Sequence, residues 1–207
     1  MAPGIKPLVL AGGRSTRMGT PKHLLELPDG TPLYQHQINT LRQACPSAVT
    51  VYISLAKDSP LDALLASPPD PGLQIILDEE TNDTARSGGP SQGLLSAFAS
   101  DPTATWLVLA VDYPLMTTRA LAQLRDAYEP PVTCFRNDQG FCEPLVGIWG
   151  PEALRLLRAK GTRSSPSAVV KELKGRQLSP AAEVTQLWAN VNEWPEWERV
   201  CQLLQRV

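Results

Sequence analysis

The sequence of 207 residues predicts an α/β fold of three layers, with a mainly parallel central sheet and helices on both faces. Three observations predict it. Strand-like and helix-like segments alternate along most of the chain, the pattern that builds parallel strands joined by crossover helices. Residues 8–11 and 106–111 are continuous apolar runs, as expected of parallel strands covered on both faces. Both runs then stop abruptly, one at Gly12-Gly13 and the other at Asp112. The length suits a single domain, residues 1–207, built around one core.

Bulk composition narrows the function. Hydrophobic residues make up 43% and charged residues 19%, ordinary for a soluble globule. With a net charge of −2, a broad nucleic-acid surface is not expected, and an anionic ligand must be held by local cations. Cys45, Cys134, Cys142 and Cys201 lack the spacing of a zinc site and read as free structural thiols in a reducing compartment. No apolar run reaches membrane-span length and residues 1–6 lack a signal-peptide core, so a cytoplasmic protein with no membrane partner is expected.

The first strand, residues 8–11, leads into Gly12, Gly13, Arg14, Ser15, Thr16, Arg17, Met18, Gly19 and, after two more residues, Lys22. Glycines without Cβ let the chain turn sharply and let a ligand approach the backbone. Amides there can point at phosphate oxygens, and Arg14, Arg17 and Lys22 supply charge for them. The pattern is neither GxGxxG nor the Walker motif, because the spacing of Gly12, Gly13, Gly19 and Lys22 fits neither. Residues 24–27 read as a short strand or loop, and 28–30 as a turn. Thr31 is the expected cap of a helix with Pro32 in its first position and Leu33, Ile38 and Leu41 on its buried side. His36, with no Ser or Cys nucleophile nearby, reads as a helix-surface or packing residue.

Residues 49–54 form the second strand, β-branched and ending at Ser54. A helical segment is expected around 61–65, and 73–77 is the next strand, closed by Asp78 at the sheet edge. A polar loop containing Arg86 leads to Gly89-Pro90-Ser91-Gln92-Gly93, where a helix starts at Pro90 or Ser91 and turns its free N–H groups toward the carboxyl edge of the sheet. Asp112 follows the most apolar strand, 106–111. A carboxylate in that position is costly unless paired or metal-bound, and Mg²⁺ needs few carboxylates. Its other reading, a cap for the helix at 117–128, fails because Asp112 lies too far upstream. Then come a strand at 132–135, a turn at 137–140, a strand within 141–149 and a helix at 151–160. The loop 161–167 is basic and hydroxyl-rich, suiting either a phosphorylated second substrate or plain solvated surface. A helix at 168–173, a strand at 184–189 and a terminal helix at 194–204 complete the chain.

Leu10, Ala11, Gly12, Gly13, Ser15, Arg17, Met18, Gly19 and Lys22 together resemble the signature LAGGxSxRMGxxK of the MobA-like nucleotidyltransferases. The resemblance extends to Gly89, Pro90 and Gly93 (the turn Gly89-Pro90-Ser91-Gln92-Gly93), to Asp112 and Pro114, to Glu143-Pro144-Leu145, and to Asn190, Asn192, Pro195 and Glu196. Departures are Pro21 for a frequent acidic residue, Ser54 for an asparagine, Cys142 for a proline, and one inserted residue before Pro195. The resemblance implies a Rossmann-like fold and an activity nearest to molybdenum cofactor guanylyltransferase, joining GMP from GTP to the phosphate of molybdopterin and releasing pyrophosphate. It implies Lys22, Arg17 and Asp112 as catalytic residues. The nucleotide would be bound by Leu10, Ala11, Gly12, Gly13, Arg14, Ser15, Lys22, Ser54, Asp78, Gly89, Pro90 and Gly93, and Mg²⁺ by Asp112 with Asn192. Proteins of molybdenum cofactor synthesis, or its acceptor proteins, would be partners. An anionic acceptor phosphate needs no strong general base, in keeping with the lack of a convincing His or Cys centre. Gly12 is expected to leave room for a purine where pyrimidine-using relatives commonly carry alanine. The alternatives are a CTP-dependent relative (LAAG in place of LAGG), a sugar-1-phosphate nucleotidyltransferase (LAGGxGTRL, against which Ser15 to Met18 argue), and a nucleotide-binding regulator without turnover.

Overall fold

The structure, a computed structural model, describes residues 4–13, 18–59, 70–78, 89–137, 139–161, 164–179 and 189–205. Seven strands among them form one sheet: β1 (Ile5–Leu10), β2 (Val51–Leu55), β3 (Leu73–Leu77), β4 (Thr105–Ala110), β5 (Val132–Arg136), β6 (Cys142–Trp149) and β7 (Arg176–Leu178). Their order is β3-β2-β1-β4-β6-β5-β7. Pairings β1–β2, β1–β4, β2–β3 and β5–β7 are parallel, while β6 runs antiparallel to both β4 and β5. The expected mainly parallel sheet is therefore present, with one reversed strand.

The helices are α1 (Leu33–Ala44), α2 (Gly89–Ser100), α3 (Thr118–Asp126), α4 (Pro151–Lys160), α5 (Pro166–Glu172) and α6 (Trp194–Leu204). The β1-α1-β2 crossover moves one way across the sheet and the β3-α2-β4 crossover the other. Right-handed connections then put α1 and α2 on opposite faces. In keeping with this, α1 packs with α3, whereas α2 packs with α4 and α4 with α5. Every residue of β4 is buried, which explains why Trp106 to Ala110 reads as unbroken apolar sequence.

Local chemistry accounts for the departures from expectation. Thr31 does not cap α1; the cap position is Pro32, with no side-chain cap bond. Thr31 is already used by the preceding turn, its N–H donating to Asp29 Oδ1 at 2.9 Å and its carbonyl accepting from Leu27 N. The helix expected from 117 starts one residue later, because Thr117 is its cap and its hydroxyl accepts from Ala120 N at 3.2 Å. β7 was not legible because three residues reading Arg-Gln-Leu at a sheet edge carry no apolar pattern. The strand expected at 184–189 and the helix around 61–65 fall outside the described residues, apart from Ala189, which is not in a strand. Among the described residues no helix is long and apolar enough to cross a membrane.

Candidate active site at the carboxyl edge of β1 and β4

The chain leaves β1 toward β2 on one side and returns from β3 to pair β4 on the other. The carboxyl ends of β1 and β4 thus form the switch point where open α/β sheets bind ligands. Register fixes what meets there. Leu10 lies beside Ser54 on one side and Ala110 on the other, and Leu55 beside Leu77. Gly12-Gly13, Ser54, Asp78 and Asp112 accordingly share one edge.

Toward β2 and β3, Ser54 Oγ donates to Asp78 Oδ1 at 2.5 Å. Burial pushes the Asp78 carboxyl above its ordinary pKa, and the Ser54 hydroxyl opposes that. Gly12 and Gly93 allow this side to close. A Cβ on Gly12 would lie 2.3 Å from Asp78 Oδ2, and one on Gly93 would lie 2.8 Å from Leu10 Cδ2 and 2.9 Å from Ser54 Oγ. The first obstacle to a methyl at residue 12 is thus the Asp78 carboxylate, where the sequence suggested open space for a base. A Cβ on Gly13 would meet no described atom. At the start of α2, Ser91 Oγ donates to Ser164 O at 2.7 Å, tying that helix end to the loop after α4.

Toward β4, Lys22 is presented by a single 3₁₀ turn, Lys22–Leu24. Its Nζ donates to Asn192 Oδ1 at 2.8 Å across 170 residues of sequence. Asn192 arrives there because Val191 N donates to Asp112 O at 2.9 Å, and because Glu196 Oε2 accepts from both Asn192 N and Glu193 N in a capping box that starts α6. Asp112 is half-buried as a residue, yet its Oδ1 is fully buried with no hydrogen-bond partner among the described residues. Burial pushes its carboxyl pKa up, the Lys22 charge pulls it down, and the Glu143 charge adds to the rise. An orphaned, buried carboxylate oxygen beside a cation suits a hard divalent ion. Among the described residues no three His, Cys, Asp or Glu side chains gather as an all-protein cage.

The structure brings Lys22, Asp112 and Asn192 together, and groups Ser54, Asp78, Gly12 and Gly93 beside them. Leu10 and Ala11 are buried behind that edge, with Ala11 N donating to Ser54 O at 2.8 Å. Arg14, Ser15 and Arg17 lie outside the described residues, and Gly89 and Pro90 are placed only as the first turn of α2. Five residues were missed or underread. Tyr113 OH donates to Glu143 Oε2 at 2.7 Å and Asn137 Nδ2 to Glu143 Oε1 at 2.8 Å, bracing the β5–β6 hairpin against the residue after Asp112. Burial, with the charges of Asp112 and Glu143, drives the Tyr113 pKa upward, so its hydroxyl stays protonated to donate. His36, read as a packing residue, has Nε2 3.1 Å from Pro114 O. Gln37 was not singled out, although a polar residue at i+4 from Leu33 on an apolar stripe was the available signal.

A family model described as the MobA-like NTP transferase domain matches residues 7–195. The chain is 34% identical over 155 residues to a molybdenum cofactor biosynthesis bifunctional protein of Synechocystis sp., covering 72% of this chain but 40% of that protein. It is 33% identical over 154 residues to a probable molybdenum cofactor guanylyltransferase of Rhodopirellula baltica, covering 71% of this chain and 68% of that one. The crystal structure of molybdopterin-guanine dinucleotide biosynthesis protein A from Archaeoglobus fulgidus superposes with a TM-score of 0.72 at 16% identity, covering 98% of this chain and all 100% of that one. At that identity the likeness concerns the fold, which is of the Rossmann-like α/β type.

Proposed function

Because the chain belongs to the MobA-like NTP transferase family, we propose that it transfers GMP from GTP to the terminal phosphate of molybdopterin or the molybdenum cofactor, with release of pyrophosphate. The observation that carries the reading is the meeting, at the switch point of the sheet, of an ammonium and an orphaned buried carboxylate oxygen: Lys22 held by Asn192, and Asp112.

The residues 1–207 act as one domain in this reading. The acceptor's phosphate oxygen, already anionic, attacks the α-phosphorus of the nucleotide. The new P–O bond forms as the bond to the β-phosphate oxygen breaks, and both electrons of that bond leave with pyrophosphate. No proton need be removed from the nucleophile, so no general base is required. Charge grows on the α-phosphate and on the leaving group. Lys22, pre-oriented by Asn192 Oδ1, meets it without reorganisation, and Arg17 adds a second cation. Amides from Gly12 to Ser15, with Arg14, cradle the phosphates, and the first turn of α2, which Gly89 and Pro90 open, turns the free N–H groups of its non-proline residues the same way. Asp112, with the remaining lone pair of Asn192 Oδ1, would hold Mg²⁺, which would draw charge from the α-phosphate and pyrophosphate. Asp78, kept in place by Ser54, accepts from the nucleoside; the adjacent N1–H and N2–H donors of guanine suit a carboxylate better than the single amino group of cytosine.

The test is pyrophosphate release from GTP or CTP with Mg²⁺ and molybdopterin as acceptor. Turnover with GTP several-fold or more above CTP supports the reading. Faster turnover with CTP assigns the cytidylyltransferase activity instead, and nucleotide binding without pyrophosphate release removes the transferase assignment.

A further inference from the structure

Four successive carbonyls follow β4, those of Val111, Asp112, Tyr113 and Pro114, and each accepts a hydrogen bond from another part of the fold. Val191 N–H takes the Asp112 carbonyl. Two adjacent side chains of α1 take the other three. Gln37 Nε2 donates to Tyr113 O at 2.8 Å and reaches Val111 O at 3.4 Å, and His36 Nε2 meets Pro114 O at 3.1 Å. Since a carbonyl cannot donate, His36 carries its proton on Nε2 in this contact.

Gln37 is fully buried. With two carbonyls facing it, the amide must present its NH₂ group, because the flipped amide would set oxygen against oxygen. Its own Oε1 is then buried without a hydrogen-bond partner among the described residues, an unfavourable arrangement that an apolar residue would avoid. Leu33, Ile38 and Leu41 on the same helix are such residues. The amide therefore contributes something other than helix packing. The Val111 carbonyl belongs to the peptide plane before the Asp112 Cα, and the Asp112 carbonyl to the plane after it. Gln37 reaches the first at 3.4 Å and, through Tyr113 O at 2.8 Å, the plane beyond; Val191 holds the second at 2.9 Å, so both backbone rotations that could swing the Asp112 side chain are restrained.

We propose that Gln37 is a positioning residue that aims the Asp112 carboxylate and thereby sets the affinity of the divalent cation. This rests on the reading of Asp112 as the cation's ligand given above. The chemistry follows the general behaviour of outer-shell partners, whose loss typically weakens metal binding by about 10–100-fold.

The experiment is a Mn²⁺ titration of the full chain, followed by the electron-spin-resonance signal of the free ion, with no nucleotide present. Wild type is compared with Gln37→Met, Ile38→Val and Asp112→Asn. Gln37→Met preserves the volume and removes the donors, whereas Ile38→Val removes one buried methyl from the same helix turn and touches no loop carbonyl. The expected result is a Kd for Mn²⁺ raised about 10-fold or more in Gln37→Met and unchanged within twofold in Ile38→Val. In turnover, Gln37→Met should regain its kcat at high cation concentration, with the KM for nucleotide then near that of wild type. Wild-type Mn²⁺ affinity in Gln37→Met overturns the proposal alone, since Asp112→Asn would still show the loss. Equal affinity in wild type and Asp112→Asn overturns the cation site and the proposal with it. Should Gln37→Met fail to fold, Gln37→Asn, one methylene too short to reach the loop, carries the same expectation and the same refutation.

Discussion

Gly12→Ala adds one methyl, and its consequences can be worked out from three contacts. The new Cβ would lie 2.3 Å from Asp78 Oδ2, 3.3 Å from Asp78 Cγ and 3.3 Å from Ala56 N. The backbone amide cannot move cheaply, so the carboxylate must retreat by about 1 Å to restore van der Waals separation. That retreat stretches or breaks the 2.5 Å bond from Ser54 Oγ. Overpacking by a methyl typically costs about 1–3 kcal/mol. Asp78 is half-buried and can swing toward water, so the low end applies, about 1 kcal/mol, or roughly 2–4 °C in Tm for a chain of this size. The effect on GTP should be larger. Losing hydrogen bonds to a charged acceptor costs about 1.5–3 kcal/mol, which corresponds to roughly 10- to 150-fold weaker binding. CTP should lose less. Calorimetric titration of both nucleotides into wild type, Gly12→Ala, Asp78→Ala and the double variant is the assay. If the methyl acts by displacing Asp78, the double variant binds GTP no more weakly than Asp78→Ala, and the two losses fail to add by most of the smaller one. Fully additive losses, or equal losses for GTP and CTP, refute the reasoning.

Lys22→Ala should lower kcat/KM by about 100-fold or more, as loss of one preorganised charge-stabilising donor does, and Lys22→Arg should not restore it, because a planar fork does not fit the seat of a compact ammonium against Asn192; unchanged kinetics in the alanine variant would take Lys22 out of the site. Asp112→Ala should abolish transfer while leaving the far-ultraviolet circular dichroism intact, and turnover near the wild-type rate by such a folded variant would end the cation-site reading. At the other end of β1, Lys6 Nζ lies 2.7 Å from Asp101 Oδ2 and holds the Asp101 carboxyl down at about 2. A depressed carboxylate pKa gives stability that is present above its unfolded value and lost as pH falls through the folded one. Lys6→Met should therefore melt below wild type at neutral pH, by no more than about 1 kcal/mol for this partly exposed pair, and the gap should shrink between about pH 4 and pH 2. A gap that persists unchanged at pH 2 would assign the loss to the Lys6 contacts with the Tyr52 and Trp106 rings.

Features that depend on short-range order could be read from the chain alone. Short, apolar-rich runs marked strands, so β3 was legible at both its ends and the buried β4 to within one residue. Pro195 and the acids around it marked α6 at its full extent. Gly12-Gly13 and Asp112 stood out because each interrupts an apolar run with chemistry a core does not tolerate. Which side chains meet was set by long-range packing. Lys22 and Asn192 are 170 positions apart and join through the order of the strands and one backbone bond from Val191 to Asp112. Gly12 turned out to face Asp78, because parallel pairing through β2 brings the ends of β1 and β3 to the same edge. Gln37 acquired its partners from a loop 74 positions away, which helical periodicity cannot foresee. Periodicity records which face of an element is buried; it carries no information about which distant carbonyl waits on the other side, and that is set by how the layers pack.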